Sequence, residues 1–364
     1  MLEHGGRLAR AVAEYGIPRE AWLDLSTGLS PHPWPVPPIP AEAWHRLPED
    51  EDGLLEAARA YYGCEHLLPV AGTQAAIQAL PRLRPRSRVA VQSPGYAEHA
   101  HAWREAGHDV TLLPMEELLA RAAEFDVAVF ISPNNPTAER IPTANHAIAA
   151  PLVGARSGAT SFRDNATGSA ALGSGPSPAS ALPQEPSARQ RGEGGAEPWI
   201  IVDEAFGDTR PELFLRPREG LILLRSIGKF FGLAGARAGF VAAWPALLEA
   251  LREQLGPWSL SGPTRFAVTQ ALSDTAWHAA MRDRLPNESE ALAATLAEAG
   301  LPPSGGTDLF QYCRHADAAD IHRGLAARGI LVRLFTEPSG LRFGLPPDAI
   351  ARARLAEALR EVLA

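Results

Sequence analysis

The sequence predicts an α/β protein with a large, mostly parallel sheet followed by a smaller α+β lobe. Up to about residue 243, short apolar runs bounded by turn residues alternate with longer amphipathic stretches, the pattern of strands joined by crossover helices. Beyond residue 244 the chain changes to long helices rich in Ala, Leu and Glu, then short strands and a closing helix. A chain of 364 residues is long enough for a large core with a second lobe.

The apolar runs define the elements of each lobe in order. In the first lobe, helices are predicted at Thr73–Leu83, Gly95–Gly107 and Met115–Glu124. Its predicted strands are Arg88–Gln92, Asp109–Leu113, Val127–Ser132, Trp199–Asp203, Leu221–Arg225 and Ala238–Ala243. In the second lobe, short strands are predicted near Leu309–Arg314, Ile330–Leu334 and Leu341–Gly344. We therefore expect an N-terminal arm over residues 1–45, a large domain over 46–243 and a small domain over 244–364.

Two segments interrupt this pattern. Ser30–Pro40 contains six prolines, which predicts an extended arm across a surface. Residues 154–198 are mostly Gly, Ser, Pro and Ala, with few large apolar side chains. Such a composition cannot bury enough surface to offset its ordering entropy, so this stretch is interpreted as a disordered insertion.

Composition and charge exclude several classes of function. The formal net charge is −8, which gives no electrostatic reason to expect nucleic-acid binding. The two cysteines lie far apart and show no metal-ligand spacing, so we expect a reduced compartment, no disulfide framework and no metal centre. No apolar run approaches the ~18 residues of a membrane span, and a signal-peptide core is absent from residues 1–10. A cytoplasmic enzyme without membrane association is expected.

Lys229 is the only lysine of the chain and lies in a glycine-rich turn just after a predicted buried strand. Ser226 precedes it and Arg237 follows it, so a hydroxyl and a guanidinium are available near the amine. This combination suits covalent binding of a phosphorylated aldehyde, since an amine forms an imine and the other two groups bind phosphate. A P-loop is the alternative, but its upstream glycine is missing and Phe230 replaces its Ser/Thr.

Polar side chains follow two further predicted strands. Asp203 ends one strand, and Asn135 lies in a Pro-Asn-Asn-Pro-Thr turn after another. A buried carboxylate needs a cationic partner, for which a protonated pyridine nitrogen is suitable, although a helix cap or a metal ligand is a common alternative. Asn135 could donate to a phenolic oxygen, although Asn-Pro alone often marks only a turn. Both side chains are expected at the sheet edge that carries Lys229.

Together these motifs resemble the fold-type I, aspartate-aminotransferase-like enzymes that use pyridoxal 5′-phosphate (PLP). The resemblance spans nearly the whole chain apart from the insertion and implies a PLP-dependent transferase fold. It implies three catalytic residues. Lys229 would bind the cofactor aldehyde, Asp203 would pair with the pyridine nitrogen, and Tyr96 would stack on the ring. The implied cofactor-binding set also includes Gly72, Thr73, Gln74, Asn135, Phe206, Ser226 and Arg237.

The ends of the chain resemble one branch of this superfamily, the L-threonine-O-3-phosphate decarboxylases of cobalamin biosynthesis. The matching motifs are His4-Gly5-Gly6-Arg7, residues 23–28 and residues 54–63. The resemblance implies a small phosphorylated amino-acid substrate and (R)-1-amino-2-propanol phosphate as product. The implied substrate-binding residues are His4, Gly28, Asn135, Arg333 and Arg342. Two alternatives remain open: a histidinol-phosphate-type aminotransferase and a non-catalytic PLP-fold binding partner.

Two positions depart from the family pattern. Phe206 stands where many relatives have a tyrosine that bonds the ring oxygen, so Asn135 is expected to make that bond alone. Leu47 stands where many relatives have a tyrosine that reaches the partner subunit in the homodimer that the family implies.

His99 and His101 are two residues apart on a predicted helix and cannot face one another, which favours a solvated surface over a metal site.

Overall fold

A seven-stranded sheet forms the centre of the larger part of the protein. The structure, a computed structural model, describes residues 5–142, 197–216 and 218–364. The strand order is β2-β8-β7-β6-β5-β3-β4, and every neighbouring pair is parallel except those that involve β8. This architecture confirms the predicted α/β class. His4 and the predicted insertion, except for its last two residues, lie outside the described residues.

The elements follow in chain order, strands first. The strands are β1 (Leu23–Asp24), β2 (Leu67–Val70), β3 (Arg88–Gln92), β4 (Asp109–Leu113), β5 (Val127–Ile131), β6 (Trp199–Asp203), β7 (Leu221–Ser226), β8 (Gly239–Ala242), β9 (Gly305–Thr307), β10 (Phe310–Arg314), β11 (Ile330–Leu331), β12 (Arg333–Thr336) and β13 (Ser339–Gly344). The described α-helices are α1 (Leu8–Tyr15), α2 (Glu42–His45), α3 (Leu54–Tyr62), α4 (Thr73–Ala79), α5 (Glu98–Glu105), α6 (Met115–Arg121), α7 (Pro245–Leu255), α8 (Gly262–Ser273), α9 (Thr275–Glu298), α10 (Ala318–Ala326) and α11 (Ala349–Leu363).

The central strands β5 and β6 are continuous apolar runs because helices cover both faces of a parallel sheet. Every residue of both strands is buried, and their register pairs Ile131 with Asp203. β7 lies on the other side of β6. The loops that follow β5, β6 and β7 therefore emerge side by side at one edge of the sheet.

The structure corrects three details of the predicted elements. The strand predicted at Ala238–Ala243 runs antiparallel, because the connection over 227–238 holds no helix long enough for a parallel crossover. The strand predicted at Ile330–Leu334 is two strands, β11 paired with β1 and β12 paired with β13. The helix predicted at Gly95–Gly107 begins only at Glu98, after a turn.

The second sheet is antiparallel, with the strand order β12-β13-β10-β9. Helix α9 packs on β9 and β10, and α10 packs on β12 and β13. One side of this sheet joins the main hydrophobic core through Cys313, Leu341 and Phe343. The opposite face carries Phe310 and Arg342 and borders a site between the two sheets.

The proline-rich arm connects the lysine turn to helix α9. Residues 25–40 form no helix or strand, in agreement with the predicted extended conformation. The backbone N–H of Ser30 donates to the carbonyl of Lys229 over 2.9 Å, and that of Trp34 donates to the carbonyl of Phe231 over 2.9 Å. The indole Nε1 of Trp34 donates to Asp274 over 3.0 Å, at the start of α9. The arm therefore fixes the backbone around Lys229.

We predict that Trp34→Ala lowers the free energy of unfolding by about 3 kcal/mol or more, because it empties a buried site and removes the bond to Asp274. Denaturant unfolding of the purified protein measures this change. Ile350→Ala is the control, since Ile350 is 82% exposed and its truncation should cost less than about 0.5 kcal/mol. Equal losses in the two variants would contradict the anchoring role of the arm.

Candidate active site

A cavity of about 570 Å³ lies between the edge of the large sheet and the face of the small one. This volume is typical of a pocket for a cofactor with a small substrate. Seven of the predicted site residues line the cavity: Gly28, Tyr96, Asn135, Phe206, Lys229, Arg333 and Arg342. Asp203 lies buried at the end of β6. The remaining described residues of the predicted set lie at the start of α4 (Gly72, Thr73 and Gln74), at the end of β7 (Ser226) and just before β8 (Arg237).

The amine of Lys229 is held in an apolar environment near other cations. Its Nζ lies 5.4 Å from the centre of the Phe206 ring. Burial, and next the positive charge of Arg342, lower the pKa of Lys229 to about 8, while Asp203 acts in the opposite direction. About a tenth of the amine is therefore neutral at pH 7, against less than about a thousandth at its ordinary pKa, and the neutral form is the one that attacks a carbonyl.

Asp203 is paired with His99, and this pairing overturns the prediction that His99 is solvated. The imidazole Nε2 lies 2.9 Å from Oδ2 of Asp203, and both side chains are buried. Asp203 Oδ1 accepts a bond from the backbone N–H of Ala205 over 3.0 Å. An ionised carboxylate only accepts, so His99 donates through Nε2. Helical spacing relates His99 only to its neighbours on the same helix, such as His101. It does not show the contact between α5 and β6, because these elements are distant in the sequence.

Asn135 and Arg342 bind each other across the cavity. Arg342 Nη1 donates to Oδ1 of Asn135, and Nη2 donates to the carbonyl of Ser26 over 2.8 Å. Its buried Nε has no hydrogen-bond partner among the described residues. Burial, and then the nearby charge of Arg333, lower the pKa of Arg342 to about 9. Because the Asn135 oxygen is bonded, its NH₂ group is the donor left for an acceptor in the cavity.

The turn before α4 meets Arg237 closely enough to exclude a side chain at position 72. Gly72 has a φ of 73°, and a Cβ atom there would lie 2.8 Å from Nη2 of Arg237. Arg237 itself has a φ of 50°, an unusual conformation for a residue with a side chain. The hydroxyl of Ser226, the last residue of β7, accepts a hydrogen bond from the backbone N–H of Gly228 over 3.2 Å. A guanidinium, a hydroxyl and the backbone N–H groups that begin α4 make a donor set that fits a phosphate.

The side chain of Gln74 links this turn to Tyr96. Gln74 Nε2 donates to Glu98 over 2.8 Å, and the Tyr96 hydroxyl donates to Oε1 of Gln74 over 3.1 Å. Burial, followed by the charges of Glu98 and Asp203, raises the pKa of Tyr96 to about 12. The Tyr96 ring also lies edge-on to His99, with 6.1 Å between the ring centres, which is within the range of about 4.5–7 Å for aromatic pairs.

Two phenylalanines that the sequence argument missed lie beside the arginines. The Cζ atom of Arg342 lies 5.3 Å from the centre of the Phe310 ring and 6.0 Å from that of Phe335. Cζ of Arg333 lies 5.2 Å from the Phe335 ring centre. Alternation of Arg333 and Phe335 along one strand was the available signal, since residues two apart share a face.

Comparison with known proteins identifies the family. The model of the family described as aminotransferase class I and II matches residues 196–359. A threonine-phosphate decarboxylase from Pseudomonas aeruginosa is 46% identical over 362 residues, which cover 99% of this chain and 97% of the relative. The chain belongs to the threonine-phosphate decarboxylase family. A second threonine-phosphate decarboxylase, from Sinorhizobium sp., is 38% identical and covers 98% of this chain and 97% of its own length.

The fold of this threonine-phosphate decarboxylase family member also matches a solved structure. A histidinol-phosphate aminotransferase from Sinorhizobium meliloti, in complex with pyridoxal-5′-phosphate, superposes with a TM-score of 0.68. It is 19% identical, and the match covers 99% of this chain and 87% of the neighbour. This likeness supports the fold-type I architecture.

The cofactor of this family, PLP, suits the residues that the structure brings together. The phosphate donor set lies at the turn before α4 and at Arg237, the carboxylate of Asp203 is buried at the end of β6, and the amine of Lys229 lines the cavity. Among residues 5–142, 197–216 and 218–364, no group of three or more His, Cys, Asp or Glu side chains is arranged to hold a metal ion. None of the helices in that part of the chain is long and apolar enough to cross a membrane.

We predict that His99→Leu weakens PLP binding roughly tenfold, because Asp203 loses the hydrogen bond that orients its carboxylate and favours the ionised form that a pyridinium needs, a loss of ~1–3 kcal/mol. Equilibrium titration of the protein freed of cofactor, followed by the PLP absorption band, measures the dissociation constant. His101→Leu is the matched control, since His101 is exposed on the same helix and should leave the constant unchanged. Identical constants for both variants would show that the contact with Asp203 has no effect on the cofactor.

We also predict a pH midpoint near 8 for the covalent capture of PLP by Lys229. The rate should rise with pH as the amine loses its proton and level off above the pKa of about 8. Borohydride trapping and peptide mass spectrometry identify the peptide that contains Lys229. Arg342→Gln removes a positive charge that favours the neutral amine, so its midpoint should move to higher pH. A midpoint near 10.5 in the unaltered protein would contradict the role of burial.

Proposed function

We propose that the protein decarboxylates L-threonine-O-3-phosphate to (R)-1-amino-2-propanol phosphate, with PLP as cofactor, in cobalamin biosynthesis. The observation that carries this proposal is the pair Arg333 and Arg342 in the cavity that contains Lys229. The two arginines are directly opposite each other on β12 and β13. Two adjacent guanidinium groups suit a substrate with two anionic groups, here a carboxylate and a phosphate.

PLP, when bound, supplies an electron sink for the pair of electrons left on the α-carbon when one of its bonds breaks. We assign to Lys229 the covalent attachment of the cofactor and the later delivery of a proton to the α-carbon. Asp203, oriented by His99, would keep the pyridine nitrogen protonated. Tyr96 would pack on the ring face, and Ser226, Arg237 and the turn of Gly72, Thr73 and Gln74 would hold the cofactor phosphate.

The orientation of the substrate decides which bond breaks, since the bond perpendicular to the ring is the one that PLP weakens. We assign the carboxylate to Arg342 and the phosphate to Arg333. Gly28 allows close approach on this side, because a Cβ atom there would lie 2.9 Å from the Phe206 ring and 3.0 Å from the Phe310 ring. His4 belongs to the same proposal on the resemblance alone.

Phe206 leaves the ring oxygen of the cofactor to Asn135. Its ring lies edge-on to Phe310 at 5.1 Å and faces the amine of Lys229. The tyrosine common at this position would add a hydroxyl donor that Phe206 lacks. Asn135, with its oxygen fixed by Arg342, is then the donor that we assign to this oxygen.

A homodimer is part of the proposal. Trp44, Leu47 and Trp258 are 70%, 65% and 59% exposed, an unusual degree for large apolar side chains. α2 packs against the beginning of α8, and a groove of about 550 Å³ beside it includes Leu47 and Phe266. A second copy of the chain is the occupant that the family implies for this surface.

The proposal also includes the division of the chain and its location. We place an arm over residues 1–45, a PLP-binding domain over 46–243 and a small domain over 244–364. The two sheets and the arm described above support this division. Both cysteines, Cys64 and Cys313, are buried and free, which supports a reducing compartment such as the cytoplasm.

Incubation of the PLP-loaded protein with L-threonine-O-3-phosphate, without a keto acid, should release CO₂ and aminopropanol phosphate in equal amounts, as measured by mass spectrometry. Lys229→Ala should abolish turnover. Amino transfer from histidinol phosphate to 2-oxoglutarate, with no CO₂, would instead assign the aminotransferase activity. A protein that binds PLP and reacts with neither substrate would support the non-catalytic alternative.

A further inference from the structure

The face of the small sheet that borders the cavity carries a like-charged pair. Arg333 and Arg342 are Cα partners in the antiparallel pairing of β12 with β13, so their side chains leave the same face. Like charges directly opposite each other are destabilising. Burial, and then the charge of Arg333, lower the pKa of Arg342, as is expected for two like charges on paired positions.

An aromatic ring lies against both members of this pair. Phe335 is two residues beyond Arg333 on β12 and therefore shares its face. Its ring centre lies 5.2 Å from Cζ of Arg333 and 6.0 Å from Cζ of Arg342. A guanidinium within about 6 Å of a ring centre is attracted by the negative ring face. Phe335 therefore contacts the two cations that repel each other.

The position of this ring is itself fixed. Its cross-strand neighbour is Gly340, which has no side chain and leaves room for Tyr312 to reach Phe335. The two rings lie edge-on, with 5.9 Å between their centres. The hydroxyl of Tyr312 donates to the carbonyl of Pro338 over 2.9 Å and lies 2.6 Å from where a Cβ atom on Gly340 would be. Tyr312 thus packs against the Phe335 ring and holds it in place.

Arg342 is held from its other side as well. Phe310 lies 5.3 Å from its Cζ atom, and Ser26 and Asn135 accept bonds from its terminal nitrogens. Arg342 is therefore a fixed point, whereas Arg333 is only half-buried on the edge strand. Phe335 is the side chain of β12 that contacts both guanidinium groups.

We propose that Phe335 is a positioning residue that sets the separation of the Arg333 and Arg342 guanidinium groups and thereby selects the length of the substrate. The inference rests on the proposed function. We assign this separation to a carboxylate and a phosphate carried on adjacent carbons, as in L-threonine-O-3-phosphate, and not to a phosphorylated amino acid with one more methylene between the two groups.

The test compares Phe335→Leu with Phe335→Tyr in the PLP-loaded protein. Leucine keeps most of the volume but has no ring face, whereas tyrosine keeps the ring. Stopped-flow absorbance of the cofactor within the first turnover gives dissociation constants for O-phospho-L-threonine and for O-phospho-L-homoserine, which is one methylene longer. Steady-state kcat and KM are measured in parallel, and thermal unfolding shows whether each variant is folded.

For Phe335→Leu we expect the dissociation constant for O-phospho-L-threonine to rise about tenfold, in line with two weakened cation–ring contacts. The constant for O-phospho-L-homoserine should change less than about threefold, so discrimination between the two ligands falls. Phe335→Tyr should restore the discrimination, and the effect should appear in KM rather than in kcat.

Four results would overturn the inference. Unchanged constants in Phe335→Leu would show that the ring does not position the arginines. Equal weakening of the binding of both ligands would assign Phe335 a merely structural role. The same role would follow if Phe335→Leu did not fold while Phe335→Tyr and a Phe335→Met variant both kept the discrimination of the unaltered protein. Failure of the unaltered protein to respond to O-phospho-L-threonine would overturn the proposed function itself, and this inference with it.

Discussion

The burial of Arg342 beside a second arginine is the constraint on which the rest of the site depends. A guanidinium removed from water is costly unless fixed groups compensate it, and a like charge nearby adds to that cost. The structure meets the cost with Ser26 and Asn135 as acceptors and with Phe310 and Phe335 as ring contacts. An anionic substrate would complete this compensation. The cavity therefore favours a ligand whose charge is opposite to that of the two arginines.

Compensation of buried charges also organises the opposite side of the cavity. Asp203 is buried with His99 as its donor, and Lys229 is buried near Arg342 with a lowered pKa. The proline-rich arm holds the carbonyl of Lys229 and also supplies Ser26 and Gly28 from the residues just before it. One segment of chain therefore contacts both the backbone of Lys229, which carries the attacking amine, and the guanidinium that we assign to the substrate carboxylate.

Most of the fold could be predicted from local pattern. β5 and β6 are apolar throughout because they are buried on both faces, and Lys229, Asp203 and Asn135 converge because each follows a neighbouring parallel strand. Features that arise from pairing between distant segments could not be predicted. The direction of β8, the contact of His99 with Asp203 and the cross-strand register of Arg333 with Arg342 belong to that class.

A crystal structure of the PLP-loaded protein with (R)-1-amino-2-propanol phosphate tests the central claim most directly. We expect a phosphate oxygen within about 3.2 Å of the Arg333 guanidinium, with the amine of the product directed toward Lys229. The Phe335 ring should keep its contact with both arginines. A phosphate bound away from Arg333 and Arg342, with the product amine remote from Lys229, would contradict the assignment of this cavity as the substrate site.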